Sequence, residues 1–168
     1  MSGVSPETLL LGPMGWVPNN PMLPVLVYRA VVPVGEPAAI EETLRRHGWR
    51  PEWRDGVYPY HHYHSTAHEA LACTAGSADL MLGGEGREAM TVNAGDLLVL
   101  PAGTGHCRAR ASDDFLLVGA YPQGQEWDIC RTAANDAIVR RIAAVPVPAL
   151  DPVRGEGGPL TQLWGGRA

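Results

Sequence analysis

Between positions 57 and 121 the chain breaks into short runs separated by turn-forming residues, and this rhythm limits what it can fold into. Strands are expected at about 58–64, 68–75, 77–83, 87–92, 96–100, 106–111 and 114–121. Gly76–Ser77, Gly83–Gly84 and Asn93–Ala94–Gly95 punctuate them, because glycine and asparagine enter backbone regions that tight turns need. The β-branched run LPVLVYRAVVP at 23–33 supplies an eighth strand near the N-terminus. So many short strands in sequence argue for a sandwich or jelly-roll barrel. With 20 glycines and 15 prolines in 168 residues, the composition favours tight connections over long helices.

Two helices are expected beside the strands. GEPAAIEETLRRHG, 35–48, has Pro37 near its start, Glu41 and Glu42 in its first turns, Arg45 and Arg46 near its end, and Gly48 to stop it. Residues 132–145 set Ile138, Ile142 and Val145 on one face. Residues 1–24 and the tail ending in Leu163–Trp164 read as extended, proline- and glycine-rich arms. No repeat or second domain is visible. The expectation is one domain over 1–168, with a core barrel at about 56–121, an arm, strand and helix in 1–55, and a helix and arm in 122–168. At least one arm should cross a twofold interface or cover an edge strand.

Composition excludes several function classes. A net charge of −5 and an ordinary apolar fraction point to neither a nucleic-acid surface nor a membrane surface. The first basic residue is Arg29, so a charged leader is not expected, and no apolar run approaches a membrane span. Three cysteines, Cys73, Cys107 and Cys130, are too few for a disulfide scaffold, so a reducing cytoplasm is the expected location. All 13 basic residues are arginine, which removes lysine Schiff-base chemistry and the phosphate-loop lysine.

Four of the six histidines lie between positions 61 and 68. Alternate side chains on a strand share a face. His62 and His64 therefore point together, and His61 points away from them. Glu69 opens the next strand and can meet the pair across the hairpin. His106 follows the turn PAGTG at 101–105, which aims it at the same point. Three imidazoles and a carboxylate suit one divalent transition metal: Fe, Mn, Ni, Zn or Cu.

These residues resemble the two motifs of the cupin superfamily. The first, G-x5-H-x-H-x4-E-x6-G, is met by Gly56, His62, His64, Glu69 and Gly76. The second, G-x5-P-x-G-x2-H-x3-N, is met by Gly95, Pro101, Gly103 and His106, with Arg110 in place of the asparagine. That asparagine is not a ligand, so the departure leaves the metal set intact. The whole chain also resembles a small group of bacterial single-domain cupins of uncharacterised function, through its PNNP arm, its HHYHSTAHE segment and its tail ending in LW. The resemblance implies an all-β double-stranded β-helix barrel, with metal held by His62, His64, Glu69 and His106, and often a homodimer. It implies no particular reaction, because the superfamily contains dioxygenases, isomerases, decarboxylases and non-catalytic binders.

Other residues have two readings each. Tyr58 and Tyr60 share parity with the histidines, so they either fill the core or offer a phenol to substrate. Cys73 shares parity with Glu69 and reads as core. His68 reads as a structural hydrogen-bonding group beside Glu69, or as one that touches substrate. Arg108 and Arg110 share parity with His106; each either binds a substrate carboxylate or pairs with an acid at the barrel rim. The tryptophans 16, 49, 53, 127 and 164 read as pins for the arms. Tyr60, His68 and Arg108 are the candidates for proton transfer or substrate binding. The expected function is a metal-dependent enzyme acting on a small polar organic molecule. The alternative is a non-catalytic cupin that senses or binds a small ligand or the metal.

Overall fold

The computed structural model describes residues 5–165. Residues 1–4 and 166–168, parts of the two expected arms, lie outside the described residues. Among the described residues, nine strands form two antiparallel sheets. The larger has the order β1 (Glu7–Leu9), β2 (Val25–Tyr28), β7 (Leu97–Leu100), β4 (Glu69–Ala75), β9 (Leu116–Pro122), β3 (Trp49–Asp55). The smaller has the order β6 (Ala89–Asn93), β5 (Ser77–Leu82), β8 (His106–Ala111). Three short helices accompany them: α1 (Pro37–Arg46), α2 (Asp136–Ala144) and α3 (Pro159–Gly165). The architecture is a jelly-roll β-barrel. No helix among the described residues is long and apolar enough to cross a membrane.

Strand alternation builds two cores from one sheet. Val25, Val27, Leu71, Cys73, Leu98, Leu100 and Leu117 face inward and pack against Ala78, Leu80, Leu82 and Val92 of the smaller sheet. Their sequence neighbours Leu26, Tyr28, Ala70, Ala72, Leu97, Val99, Val118 and Ala120 face outward. That outer face is covered by Ile40 and Leu44 of α1 and by Leu160 and Trp164 of α3. Both faces of β4 are therefore buried, which explains why EALACTA reads as a continuous small and apolar run.

The elements depart from expectation where tertiary pairing overrides local signal. The segment expected as a strand at 58–64 is irregular, held by isolated bridges of His62 to His106 and Tyr63 to Cys130. A further strand, β3, forms over Trp49–Asp55 although it contains Pro51. It lies at the sheet edge with a bulge between Pro51 and Trp53, where a missing amide donor is tolerated. The expected helices shorten to α1 and α2, the latter capped by Asn135, whose side chain accepts from the Ile138 amide. The tail expected as an extended arm forms α3.

Both arms pack on the barrel of their own chain. In the N-terminal arm, Asn19 Nδ2 donates to the carbonyls of Gly12 and Gly83, and its Oδ1 accepts from the Gly105 amide. Asn20 donates to the Ala102 carbonyl at 3.1 Å. Both grip the turn that precedes His106. Gly103 in this turn has φ +92°, and a Cβ there would lie 2.5 Å from the Asn19 carbonyl oxygen. In the tail, Trp164 Nε1 donates to the Pro24 carbonyl at 3.0 Å. Asp151 accepts from the amides of Val153, Arg154 and Leu160 and from the Tyr28 hydroxyl, which ties the tail to β2.

Candidate metal centre

Four side chains converge at one end of the barrel. His62 is bridged to His106, the first residue of β8, through reciprocal backbone hydrogen bonds of 3.2 and 2.9 Å. His64 lies two residues on, and its carbonyl accepts from the Gly103 amide at 2.7 Å. Candidate ligand nitrogens of His62, His64 and His106 all lie within 4.8 Å of one another, and all three residues are buried. Glu69, the first residue of β4, lies beside them. Its Oε2 is 3.3 Å from His64 Nε2, and its Oε1 is 3.3 Å from His106 Nε2.

Backbone carbonyls decide which nitrogens face inward. His62 Nδ1 is 3.1 Å from the Tyr60 carbonyl, and His106 Nδ1 is 3.0 Å from the Thr104 carbonyl. His64 Nδ1 meets the Asp128 carbonyl. A carbonyl only accepts, so each Nδ1 carries hydrogen and each neutral ring presents a bare Nε2. Glu69 Oε1 is buried without a hydrogen bond. Three nitrogen lone pairs and a carboxylate oxygen thus share a small space, which is the donor set a divalent transition metal takes. Without a cation, acceptors crowded in this way repel one another.

The electrostatics of the metal-free cluster agree. Burial and the neighbouring His106 push His62 down to about 3, so its ring is neutral. Burial opposes charge on His64 too, but the Glu69 carboxylate outweighs it and raises His64 above its ordinary value. Burial would raise Glu69, yet His64 and His106 hold it well below the usual carboxylate range.

Tyr121 supports Glu69. The register Ala70↔Ala120 between β4 and β9 sets Tyr121 across from Glu69 on the inward face. Its hydroxyl donates to Glu69 Oε2 at 2.6 Å and accepts from Trp53 Nε1 at 2.9 Å. Burial and the carboxylate push the phenol far above its ordinary value, so it stays protonated as a donor. The Trp53 ring occupies the space over Gly119, where a Cβ would lie 2.0 Å from it.

Above the cluster lies a cavity of about 330 Å³. It is lined by the four candidate ligands together with Trp53, Tyr58, Leu71, Arg108, Tyr121 and Trp127. Of the residues expected to act on substrate, only Arg108 lines this cavity. Tyr60 does not: its ring stacks on Tyr58, with the Arg131 guanidinium 3.7 Å over its face, and it serves the site through its carbonyl. Tyr58 does not fill the core but stands half-exposed at the cavity mouth. His68 points the other way. Its Nδ1 accepts from the Ala102 amide at 2.9 Å and its ring packs on Trp164, which removes it as a substrate contact. Arg110 pairs with Asp79 across β5, at 2.8 Å, rather than with Asp113 or Asp114. Among the tryptophans, Trp53 and Trp127 line the cavity instead of pinning an arm.

Tyr121, Trp53, Trp127 and Asp128 are site residues that sequence reasoning missed. A signal existed only for Tyr121, which shares inward parity with Leu117 along the same strand.

No family model matches the chain. It is 38% identical over 152 residues to the uncharacterized protein YjlB of Bacillus subtilis (strain 168), a match covering 89% of this chain and 91% of that one. Among solved structures it is similar to procruciferin, an 11S globulin from Brassica napus, with a TM-score of 0.38 and 17% identity over 69% of this chain and 30% of the globulin. It is also similar to an 11S allergen from Cocos nucifera, with a TM-score of 0.40 and 17% identity over 83% and 35% of the two chains. The chain thus spans about a third of the length of either globulin.

Proposed function

Taking as premise that the chain belongs to the family of Bacillus subtilis YjlB, we propose that its barrel is a cupin site for one divalent transition metal and acts on a small polar organic molecule. The observation that carries this reading is the set of three Nδ1–carbonyl contacts, which leave three bare Nε2 atoms beside the buried Glu69 carboxylate. His62, His64, Glu69 and His106 would hold the metal. It would supply Lewis acidity, or oxidative chemistry if it is iron, so the reaction is of the dioxygenase, isomerase or decarboxylase type. The chain does the rest. Tyr121 fixes the Glu69 carboxylate through Oε2, Arg108 offers a cation at the wall, and the aromatic lining excludes water and restricts substrate shape.

The test is elemental analysis of protein purified without added metal, followed by turnover and oxygen-uptake assays against small acids, thiols and phenols. Near-stoichiometric transition metal is expected in the wild type, with most of it lost in His62→Ala and Glu69→Ala. Full metal content in both variants would refute the ligand set. Tight metal binding with no turnover of any compound would make the protein a non-catalytic binder.

A further inference from the structure

We propose that the cavity binds a carboxylic acid with a planar body about one ring in size, its carboxylate paired to Arg108. Arg108 is half-buried and lines the cavity, and no described residue makes a side-chain hydrogen bond or ion pair with its guanidinium. Other arginines are engaged: Arg29 with Asp96, Arg54 with Glu41, Arg110 with Asp79, and Arg131 on the Tyr60 ring. Nearby acids do not pair with Arg108. Glu52 accepts from Trp127 Nε1 and pairs with Arg50, and Asp55, which also lines the cavity, accepts from the Gly56 amide through Oδ1. Glu69 Oε2 accepts from Tyr121, and its carboxylate faces His64 and His106. A partly desolvated cation without an internal partner invites an anion, and a guanidinium presents the two parallel donors that a carboxylate accepts.

The walls set the body of the ligand. Tyr121 and Trp127 stack with centroids 5.8 Å apart and planes 18° from parallel. Trp127 stands edge-on to His64 at 5.8 Å, and Tyr58 stands edge-on to His62 at 5.3 Å. Aromatic rings thus flank the ligand cluster beside two of its histidines, with Tyr58 backed on one face by Tyr60, and aromatic rings favour aromatic partners in stacked or edge-on contacts. Arg108 and His106 lie two residues apart on β8, with Cα atoms about 7 Å apart. A single-ring acid can therefore reach Arg108 with its carboxylate while its far edge lies over the histidines. Only the contact at that far edge rests on the metal reading; the Arg108 contact does not.

The experiment measures binding of benzoate, benzamide and cyclohexanecarboxylate by ligand-observed NMR and calorimetry, first on chelator-stripped protein and then on metal-loaded protein. Benzoate should bind stripped wild type about tenfold more tightly than either comparator. The preference over benzamide should be lost in Arg108→Gln and partly kept in Arg108→Lys, which retains the charge without the planar fork. Equal binding of benzoate and benzamide, or unchanged binding in Arg108→Gln, would overturn the proposal even if the protein holds a full metal complement. Cyclohexanecarboxylate binding as tightly as benzoate would overturn the planar body. Arg108-dependent binding in a protein that proves to hold no metal would uphold the proposal while the metal reading fails.

Discussion

Asn19 should be one of the most costly polar residues to replace, although it lies far in sequence from the histidines. It is 1% exposed, adopts φ +52°, and makes three hydrogen bonds to main-chain groups. Replacing it with alanine orphans the Gly83 carbonyl and the Gly105 amide, both buried, and forces alanine into the left-handed region. At about 1–3 kcal/mol for each of the two orphaned groups and about 1 kcal/mol for the backbone, Asn19→Ala should cost about 5 kcal/mol. Asn19→Gly loses the same hydrogen bonds without the left-handed penalty and should be milder by about 1 kcal/mol. Denaturant unfolding of metal-stripped protein measures both. Because Gly105 directly precedes His106, metal affinity by chelator competition should also fall about tenfold in either variant. If Asn19→Ala stays within about 0.5 kcal/mol of wild type, the arm does not hold this turn and the reasoning fails.

Two further outcomes follow from groups near the centre. Burial pushes His68 down to about 4 from an ordinary 6.5, so below pH 6.5 the unfolded chain takes up a proton that the folded chain refuses. Stability of stripped protein should therefore fall with pH in that window, and the His68 share should reach about 2 kcal/mol at pH 5. His68→Asn keeps an acceptor for the Ala102 amide and does not titrate, so unfolding at pH 7.5 and pH 5 should show a smaller acid loss by that amount; an equal loss refutes the assignment. Tyr121→Phe removes the donor to Glu69 Oε2 and the acceptor for Trp53 Nε1. It should weaken metal binding about tenfold by chelator competition while the barrel remains folded; unchanged affinity would mean that Glu69 needs no support.

The candidate ligands were legible because their chemistry allows few residue types and their spacing meets a two-part motif. Parity also held a signal for His68 that its two-way reading did not use: as the neighbour of an inward Glu69 it faces outward, where its ring packs on Trp164. Strand parity failed at 58–64, where the backbone is irregular and Tyr60 contributes a carbonyl rather than a phenol. Tyr121, Trp53 and Gly119 were not legible as a unit. Their meeting depends on the register between β4, β9 and β3, which long-range pairing sets. Residues 159–165 were obscured by the glycine- and proline-rich tail around them. Pro159 suits the first turn of a helix, but a seven-residue helix gains its stability from burying Leu160 and Trp164, which a local window does not see.

The double burial of the larger sheet bears on what can be cut from this protein. A fragment spanning 56–121 would keep every metal-ligand candidate. It would lack β2, which hydrogen-bonds to β7 through Leu26↔Val99 and Val27↔Leu98, and β3, which covers the edge of β9. Its outer face would be bared over Ala70, Ala72, Leu97, Val99, Val118 and Ala120. Such a piece would carry two sticky edges and one greasy face, the makings of an aggregate. Grafting this centre elsewhere thus means carrying the flanking segments with it, since they act as the barrel's third layer.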